Sequence, residues 1–271
     1  MAEWSADDFE NKIICGDNLA IMPQIPDGSI DLTVTSPPYY NLKEYANWNS
    51  WHDYVSDVEK WLHQCFRILK PGRWCIWNIL DKVPNPGGSP RYYRLHGETE
   101  AIAESVGFEV HYSAIWNKPN SQNQRMFGSY PYPPSIILTQ THEMVCIWRK
   151  PGIPAGKRSI YPDNKIGDEW NSGALTIWNI KRKFDKRHLC SFPEKLVTRC
   201  IEFWSWPDEI VLDPFMGVGS TALAAIKLGR RFCGCDISQD YCDIANERIA
   251  AELAQPDMFI KQPAMIGIGG E

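Results

Sequence analysis

Apolar runs with strand character alternate with segments of helical spacing along most of the 271-residue chain, and this alternation constrains the fold most. Strands are predicted at 31–35, 73–78, 108–116, 143–148, 209–213 and 231–236, and helices at 54–69, 97–106, 194–203, 219–228 and 241–253. The alternation predicts an α/β fold, a mostly parallel sheet with helices on both faces. Ligands of such sheets bind beyond the carboxyl ends of the strands, so the residues that follow each strand are the candidate site residues.

One strand end carries a glycine-containing loop. The strand predicted at 209–213 is followed by Pro-Phe-Met-Gly217-Val-Gly219-Ser-Thr221 and then by a predicted helix. Glycine at these two positions permits a tight turn and lets a ligand approach backbone amides at the helix N-terminus. The loop lacks the third glycine of a dinucleotide fingerprint and the Gly-Lys-Ser/Thr of a P-loop. It indicates either a nucleotide-like ligand or an ordinary tight turn of an α/β protein.

The next predicted strand ends in an acid, Asp236, nineteen positions after Gly217. At about this distance in a β-α-β unit, a carboxylate accepts hydrogen bonds from ribose hydroxyls. The same carboxylate could instead cap the helix that follows. Together with the glycine loop, Asp236 favours a cofactor that contains adenosine.

A second strand end, after the strand predicted at 31–35, reads Thr35-Ser-Pro-Pro-Tyr39. Two successive prolines fix the backbone and remove two donors, so the Ser36 hydroxyl and nearby carbonyl oxygens are free to accept hydrogen bonds. Tyr39 adds an aromatic face beside them. This combination suits a planar base that carries an amino group. Alone, it would also fit a strand terminator with a packed tyrosine.

The two motifs together resemble the amino-methyltransferases of DNA, which modify N4 of cytosine or N6 of adenine. The Pro-Pro motif precedes the glycine loop, an order that resembles the β group, and the likeness spans about residues 13 to 250. It implies a Rossmann-like methyltransferase fold and S-adenosylmethionine as the cofactor. It assigns catalysis to Ser36, Pro37, Pro38 and Tyr39. It assigns cofactor contacts to Asp17, Asn18, Phe192, Pro193, Asp213, Pro214, Phe215, Gly217, Gly219, Ser220, Thr221 and Asp236, although glutamate is more usual at the last position.

The resemblance also implies a mechanism. Transfer to an exocyclic amine needs no enzyme nucleophile, since Ser36 and the Pro37 carbonyl would accept hydrogen bonds from the amino group. Tyr39 would stack on a base flipped out of the duplex. Methylation at carbon 5 of cytosine requires a cysteine after a proline, and the chain contains no Pro-Cys dipeptide.

The identity of the methylated amine depends on one residue. Serine before Pro-Pro-Tyr resembles the N4-cytosine enzymes, whereas Asp or Asn is commoner there in the N6-adenine enzymes, so we favour cytosine N4. Three alternatives stay open. They are N6 of adenine, an amine of RNA or protein, and a catalytically silent DNA-binding module that kept the fold.

Basic residues are concentrated in one segment, 151–187, which holds eight lysines and arginines against four acids in a chain of net charge −5. This segment lies where the β group places its target-recognition region. Lys181, Arg182, Lys183, Lys186 and Arg187 are therefore candidates for contact with DNA phosphates, although such clusters also occur on solvated surfaces.

The resulting division comprises a catalytic half (1–150), a target-recognition segment (151–187), a cofactor-binding half (188–253) and a tail (254–271) that is a candidate for disorder. Double-stranded DNA is the expected partner. A cognate restriction endonuclease and the choice between monomer and homodimer are left open.

Composition limits the remaining classes. No run of about eighteen apolar residues and no N-terminal signal pattern occur, so we expect a cytoplasmic protein without a membrane span. Nine cysteines, an odd number, lie mostly in apolar runs, which favours reduced structural thiols over a disulfide framework. Cys233 and Cys235 lack a second pair, so no metal site is expected.

Overall fold

The structure, a computed structural model, describes residues 4–42, 47–85, 91–119, 127–128, 132–154, 168–181 and 192–254. Its strands are β1 (Lys12–Cys15), β2 (Ile30–Thr35), β3 (Leu69–Ile79), β4 (Val83–Pro84), β5 (Tyr92–Tyr93), β6 (Glu109–Asn117), β7 (Phe127–Gly128), β8 (Ile136–Ile137), β9 (His142–Arg149), β10 (Ile177–Asn179), β11 (Ile210–Asp213) and β12 (Arg231–Asp236). Its α-helices are α1 (Ala6–Phe9), α2 (Asn18–Ile21), α3 (Trp51–Ile68), α4 (Leu95–Val106), α5 (Asp168–Gly173), α6 (Glu194–Trp204), α7 (Ser220–Lys227) and α8 (Gln239–Leu253).

Eight of the strands form one sheet in the order β1-β12-β11-β2-β3-β9-β6-β10. Neighbouring strands are parallel except at β9, which runs antiparallel to both β3 and β6. The predicted mostly parallel sheet is therefore confirmed. Because β9 runs the other way, its first residues, His142 and Glu143, lie at the edge where the other strands end.

Apolar side chains cover both faces of this sheet. On one face, Leu62 of α3 belongs to the same buried cluster as Trp148 of β9. On the other, Leu196 of α6 and Ala224 of α7 belong to a cluster that includes Val34 of β2. Every residue of β2 is buried, as expected for a central strand between two helical layers.

Local sequence explains where the two helices on the first face begin or end. The Ser50 side chain accepts a hydrogen bond from the Asp53 N–H and so caps α3. Gly107 ends α4 with a φ of 115°, a conformation that favours glycine. The predicted end of that helix is confirmed.

Three strands of the eight-stranded sheet depart from the prediction, and the two-residue strands β4, β5, β7 and β8 were not predicted. β1 is absent from it, because four residues of mixed burial carry little periodic signal. β3 begins at Leu69, which pairs with Ile30 before a break in register. β10 lies inside the basic 151–187 segment and joins the main sheet beside β6, with Ile177 opposite Ile115. Part of that segment is therefore integral to the sheet.

The eight cysteines within the described ranges are free thiols, and all but Cys15 are buried. Outside those ranges lie Cys190, every lysine and arginine of the 151–187 segment except Lys181, and residues 255–271. Residues 255–271 make up most of the tail that is a candidate for disorder. Among the described helices, none is long and apolar enough to cross a bilayer.

Candidate active site

A cavity of about 810 Å³ opens at the carboxyl edge of the sheet. Residues that follow β1, β2, β3, β11 and β12 line it, together with Glu143 at the start of β9. All of Ser36 to Tyr39 lie on its wall, and so does the loop from Pro214 to Val218. The two motifs, remote in sequence, therefore face one cavity.

The glycine loop adopts the backbone that its sequence predicts. Gly217 and Gly219 have φ values of 52° and 82°, in the left-handed region that favours glycine. The Gly217 N–H donates to Asp236 Oδ2 at 2.8 Å, and the Ser238 N–H donates to Asp236 Oδ1 at 2.9 Å. Ser238, and not Asp236, is the N-cap of α8. Each Asp236 oxygen keeps acceptor capacity for a further donor, such as a ribose hydroxyl.

A buried carboxylate, that of Asp213 at the end of β11, joins the two motifs. The Thr35 and Thr221 hydroxyls each donate to it at 2.6 Å, and the Phe215 N–H donates at 3.0 Å. Burial raises the pKa of Asp213 to about 6, because lost hydration outweighs these three hydrogen bonds. Asp213 thus fixes the end of β2, just before Ser36, against the glycine loop.

The segment after β1 adds an unsatisfied acceptor to the cavity wall. Asp17 caps α2 through a 2.9 Å bond from the Leu19 N–H. Asn18 donates from Nδ2 to the Pro214 carbonyl at 3.3 Å, while its Oδ1 is buried and has no partner among the described residues. A buried acceptor of this kind fits a ligand that supplies an N–H or O–H donor. With the Asp236 carboxylate, it suits the adenosine part of the expected cofactor.

Hydrogen bonds connect the Pro-Pro motif to two further side chains. Tyr39 Oη lies 3.1 Å from Ser36 Oγ and 2.9 Å from Glu143 Oε2. Asn78 Nδ2 lies 3.2 Å from Ser36 Oγ, 3.0 Å from Tyr39 Oη and 2.5 Å from Glu143 Oε2. Burial, followed by the nearby Glu143 charge, raises the pKa of Tyr39 well above its ordinary value, so the phenol keeps its proton.

Three residues of this wall, Asn78, Lys118 and Glu143, are not apparent from the two motifs. Lys118 Nζ forms an ion pair with Glu143 Oε1, and the two side chains are 9% and 11% exposed. Lys118 Nζ also lies 4.4 Å from the centre of the Trp116 ring. Asn78 was within reach of sequence reasoning, since it is a polar residue at the end of an apolar strand. Sequence reasoning placed Glu143 at the start of the strand predicted at 143–148, but not in this wall, because its position there depends on the reversed direction of β9.

The structure brings most of the predicted site residues together. The predicted cofactor residues that line the cavity are Asp17, Asn18, Phe192, Asp213, Pro214, Phe215, Gly217, Ser220, Thr221 and Asp236. Pro193 and Gly219 are not in its lining and are instead the N-caps of α6 and α7. Of the predicted DNA-contacting residues, Lys181 is exposed, whereas Arg182, Lys183, Lys186 and Arg187 lie outside the described residues.

Comparison with known families decides the class of protein. The family model N6_N4_Mtase, described as DNA methylase, matches residues 30–247 and so contains both motifs. The chain belongs to this family. The methylase is accordingly an S-adenosylmethionine-dependent amino-methyltransferase of DNA, as the paired motifs predict.

Individual relatives agree with this assignment. The methylase is 30% identical over 261 residues to the type II methyltransferase M.BglII of Bacillus subtilis, covering 92% of this chain and 71% of that protein. It is 28% identical over 262 residues to the type II beta methyltransferase M.BslI of Bacillus sp. (strain NEB-606), covering 89% of this chain and 28% of M.BslI. This chain therefore spans less than a third of M.BslI.

A solved structure of similar architecture comes from Thermus thermophilus. TTHA0409, complexed with S-adenosyl-L-methionine, matches the methylase with a TM-score of 0.73 and 26% identity. The match covers 91% of this chain and 96% of that one. The Rossmann-like methyltransferase fold expected from the motifs is confirmed.

Proposed function

We propose that this methylase transfers a methyl group from S-adenosylmethionine to N4 of cytosine in double-stranded DNA, acting on a base flipped out of the helix. One observation carries the proposal. The Pro-Pro motif and the glycine loop line the same cavity, and the Asp213 carboxylate bonds to Thr35 on one side and Thr221 on the other. A methyl donor and a target base can therefore be held side by side by a rigid, buried link.

The cofactor contacts follow from the lining of the cavity. We assign the ribose hydroxyls to Asp236 and the adenine to Asp17 and Asn18, whose unpaired Oδ1 suits an amino donor. The positive-φ backbone at Gly217 allows close approach of the ligand to the loop. By resemblance, Phe192 lies beside the methionine end. When bound, S-adenosylmethionine supplies an electrophilic sulfonium methyl group.

The protein prepares the amine for attack. Ser36 Oγ and the Pro37 carbonyl accept hydrogen bonds from the amino group, which draws its nitrogen toward sp³ geometry and localises the lone pair that forms the N–C bond. The bond from the nitrogen to the methyl carbon would form as the S–C bond of the sulfonium breaks, which leaves S-adenosylhomocysteine, and the nitrogen would then lose a proton to solvent. Tyr39 presents its ring to the base, and its hydroxyl is held by Ser36 and Glu143. Positioning and electrostatics supply the catalysis, with no covalent enzyme intermediate.

The choice of cytosine rests on Ser36, the residue that resembles the N4-cytosine enzymes. Mass spectrometry of nucleosides from duplex DNA treated with enzyme and cofactor tests it. We expect N4-methylcytosine, and N6-methyladenine would refute the base assignment. Parallel reactions with RNA and protein as methyl acceptors are the control, since exclusive labelling of either would refute DNA as the substrate.

We further propose that the basic 151–187 segment contacts DNA phosphates. Lys181, which is exposed, is the member of the cluster that the structure describes. Replacing Lys181 by Gln should weaken DNA binding similarly for all sequences and reduce the salt dependence of binding by about one counterion. An unchanged slope of log Kd against log salt for this variant would contradict the contact. The same substitution at Lys60, an exposed residue of α3, is the control.

A further inference from the structure

The side chains behind Ser36 form a hydrogen-bond network in which the donor and acceptor of each bond are not interchangeable. Tyr39, Ser36 and Asn78 all converge on Glu143 Oε2 or on one another within 3.2 Å. A carboxylate can only accept hydrogen bonds, whereas a hydroxyl can either donate or accept. The direction of every bond in the network is therefore decided at Glu143.

The two hydroxyls follow from that constraint. The Tyr39 proton points to Glu143 Oε2, the charged acceptor at 2.9 Å, in preference to the Asn78 carbonyl at 3.4 Å. Tyr39 Oη is then the acceptor in its 3.1 Å contact with Ser36, so the Ser36 proton points toward Tyr39. The lone pairs of Ser36 Oγ are left for other donors.

Glu143 also fixes the amide of Asn78. With Nδ2 at 2.5 Å from Glu143 Oε2, the amide donates to the carboxylate and can offer its second N–H to Ser36 or Tyr39. Turning the amide over would place Oδ1 against the carboxylate, a repulsive contact. In this orientation Oδ1 is buried without a partner among the described residues, a cost that the hydrogen bond to the Glu143 carboxylate offsets.

We propose that Glu143 is a positioning residue that sets the direction of these hydrogen bonds, so that Ser36 Oγ presents a lone pair to the target amine. With one lone pair of Ser36 available to Asn78, the other faces the cavity that Ser36 lines. The inference rests on the proposed role of Ser36 as an acceptor. Without Glu143, the Ser36 hydroxyl could donate to the amino nitrogen and occupy the lone pair that must attack.

Lys118 makes the proposal sharply testable. It occupies the other carboxylate oxygen, Oε1, and an ammonium group can only donate. In a Glu143→Gln variant, the amide oxygen must therefore face Lys118, and the amide N–H₂ must face Tyr39 and Asn78. The substitution would reverse the network at nearly constant volume.

Because a single substitution would leave Lys118 buried without its counter-charge, the decisive comparison uses two double variants. Glu143→Gln with Lys118→Met removes both charges and frees the amide to turn its oxygen toward Tyr39. Glu143→Met with Lys118→Met is the matched control, since it has no acceptor at that position. Both should fold, because exchange of a buried ion pair for neutral side chains is often neutral or stabilising.

The readouts are the single-turnover rate of methyl transfer to duplex DNA and the Kd of S-adenosylmethionine from calorimetry. We expect the Gln/Met variant to stay within about 10-fold of the wild-type rate, and the Met/Met variant to be slower by about 100-fold, with cofactor affinity unchanged in both. Equal rates in the two double variants would overturn the inference. If the wild-type enzyme forms no methylated amine on DNA, the proposed function fails instead, so the two failures are distinguishable.

Discussion

The most informative perturbation of the scaffold is Asp213→Asn, which keeps the shape of the side chain that joins the two motifs but removes its charge. Asp213 is 2% exposed and receives hydrogen bonds from Thr35, Thr221 and the Phe215 N–H. In the variant, Oδ1 can still accept from Thr35 and Phe215. The Thr221 hydroxyl can rotate to accept from the new Nδ2.

The magnitude follows from the pKa of Asp213, which burial raises to about 6. Against about 3.9 in an unfolded chain, this difference corresponds to about 3 kcal/mol. Because the folded-state pKa is the higher one, the contribution to stability is complete below the unfolded-state pKa and is lost as the pH rises through about 6. When the pH falls from 8 to 5, the free energy of unfolding of the wild-type protein should therefore rise by about 1.4 kcal/mol relative to that of the Asn variant.

Urea denaturation at pH 5, 6, 7 and 8 measures this difference directly. The quantity to follow is the free energy of unfolding of the wild type minus that of the variant, because other titrating groups cancel. Asp208→Asn, an exposed substitution in a left-handed turn, controls for the loss of one acidic residue. Parallel pH profiles of wild type and Asp213→Asn would refute the assignment of a buried, titrating carboxyl at this junction.

Three further predictions concern the site. Ser36→Ala should lower kcat about 100-fold and leave the cofactor Kd unchanged, because Ser36 is proposed to contact the target amine and not the cofactor. Asp236→Asn should weaken S-adenosylmethionine binding by about 10-fold in calorimetry, through loss of one acceptor for the ribose and of the charge that holds the Gly217 N–H. Gly234→Ala should lower the free energy of unfolding by about 1–3 kcal/mol in urea, since its Cβ would lie 2.9 Å from the Asp213 carbonyl oxygen.

Matched substitutions separate these effects from general damage. Asp240→Asn, on the exposed first turn of α8, should leave cofactor affinity unchanged. Gly97→Ala places a Cβ where no atom lies within 4 Å, so it should not destabilise the fold. A fully active Ser36→Ala enzyme, or an Asp236→Asn enzyme with wild-type cofactor affinity, would count against the proposed roles.

Much of the site could be predicted from the sequence because the residues that form it determine local properties of the chain. Turn glycines, paired prolines and an acid at a strand end each restrict the backbone or supply a donor or acceptor where they stand. The rule that ligands bind beyond the carboxyl ends of parallel strands then placed Ser36, Gly217 and Asp236 at one edge, and the cavity lies there. The end of α4 at Gly107 could be predicted in the same way, since the left-handed conformation at a helix end favours glycine.

Sequence alone thus predicted the fold class, the family and most of the residues that line the cavity. Only tertiary structure decided that Thr35 and Asp213, 178 positions apart, share a hydrogen bond, and that Glu143 meets Tyr39. The physical reason is that strand order and direction arise from pairing between distant segments. The periodicity of apolar residues within one segment does not indicate which other segment it pairs with. Because β9 is antiparallel to its neighbours, Glu143 lies at the carboxyl edge of the sheet beside the cavity. There its buried carboxylate is proposed to set the direction of the hydrogen bonds around Ser36.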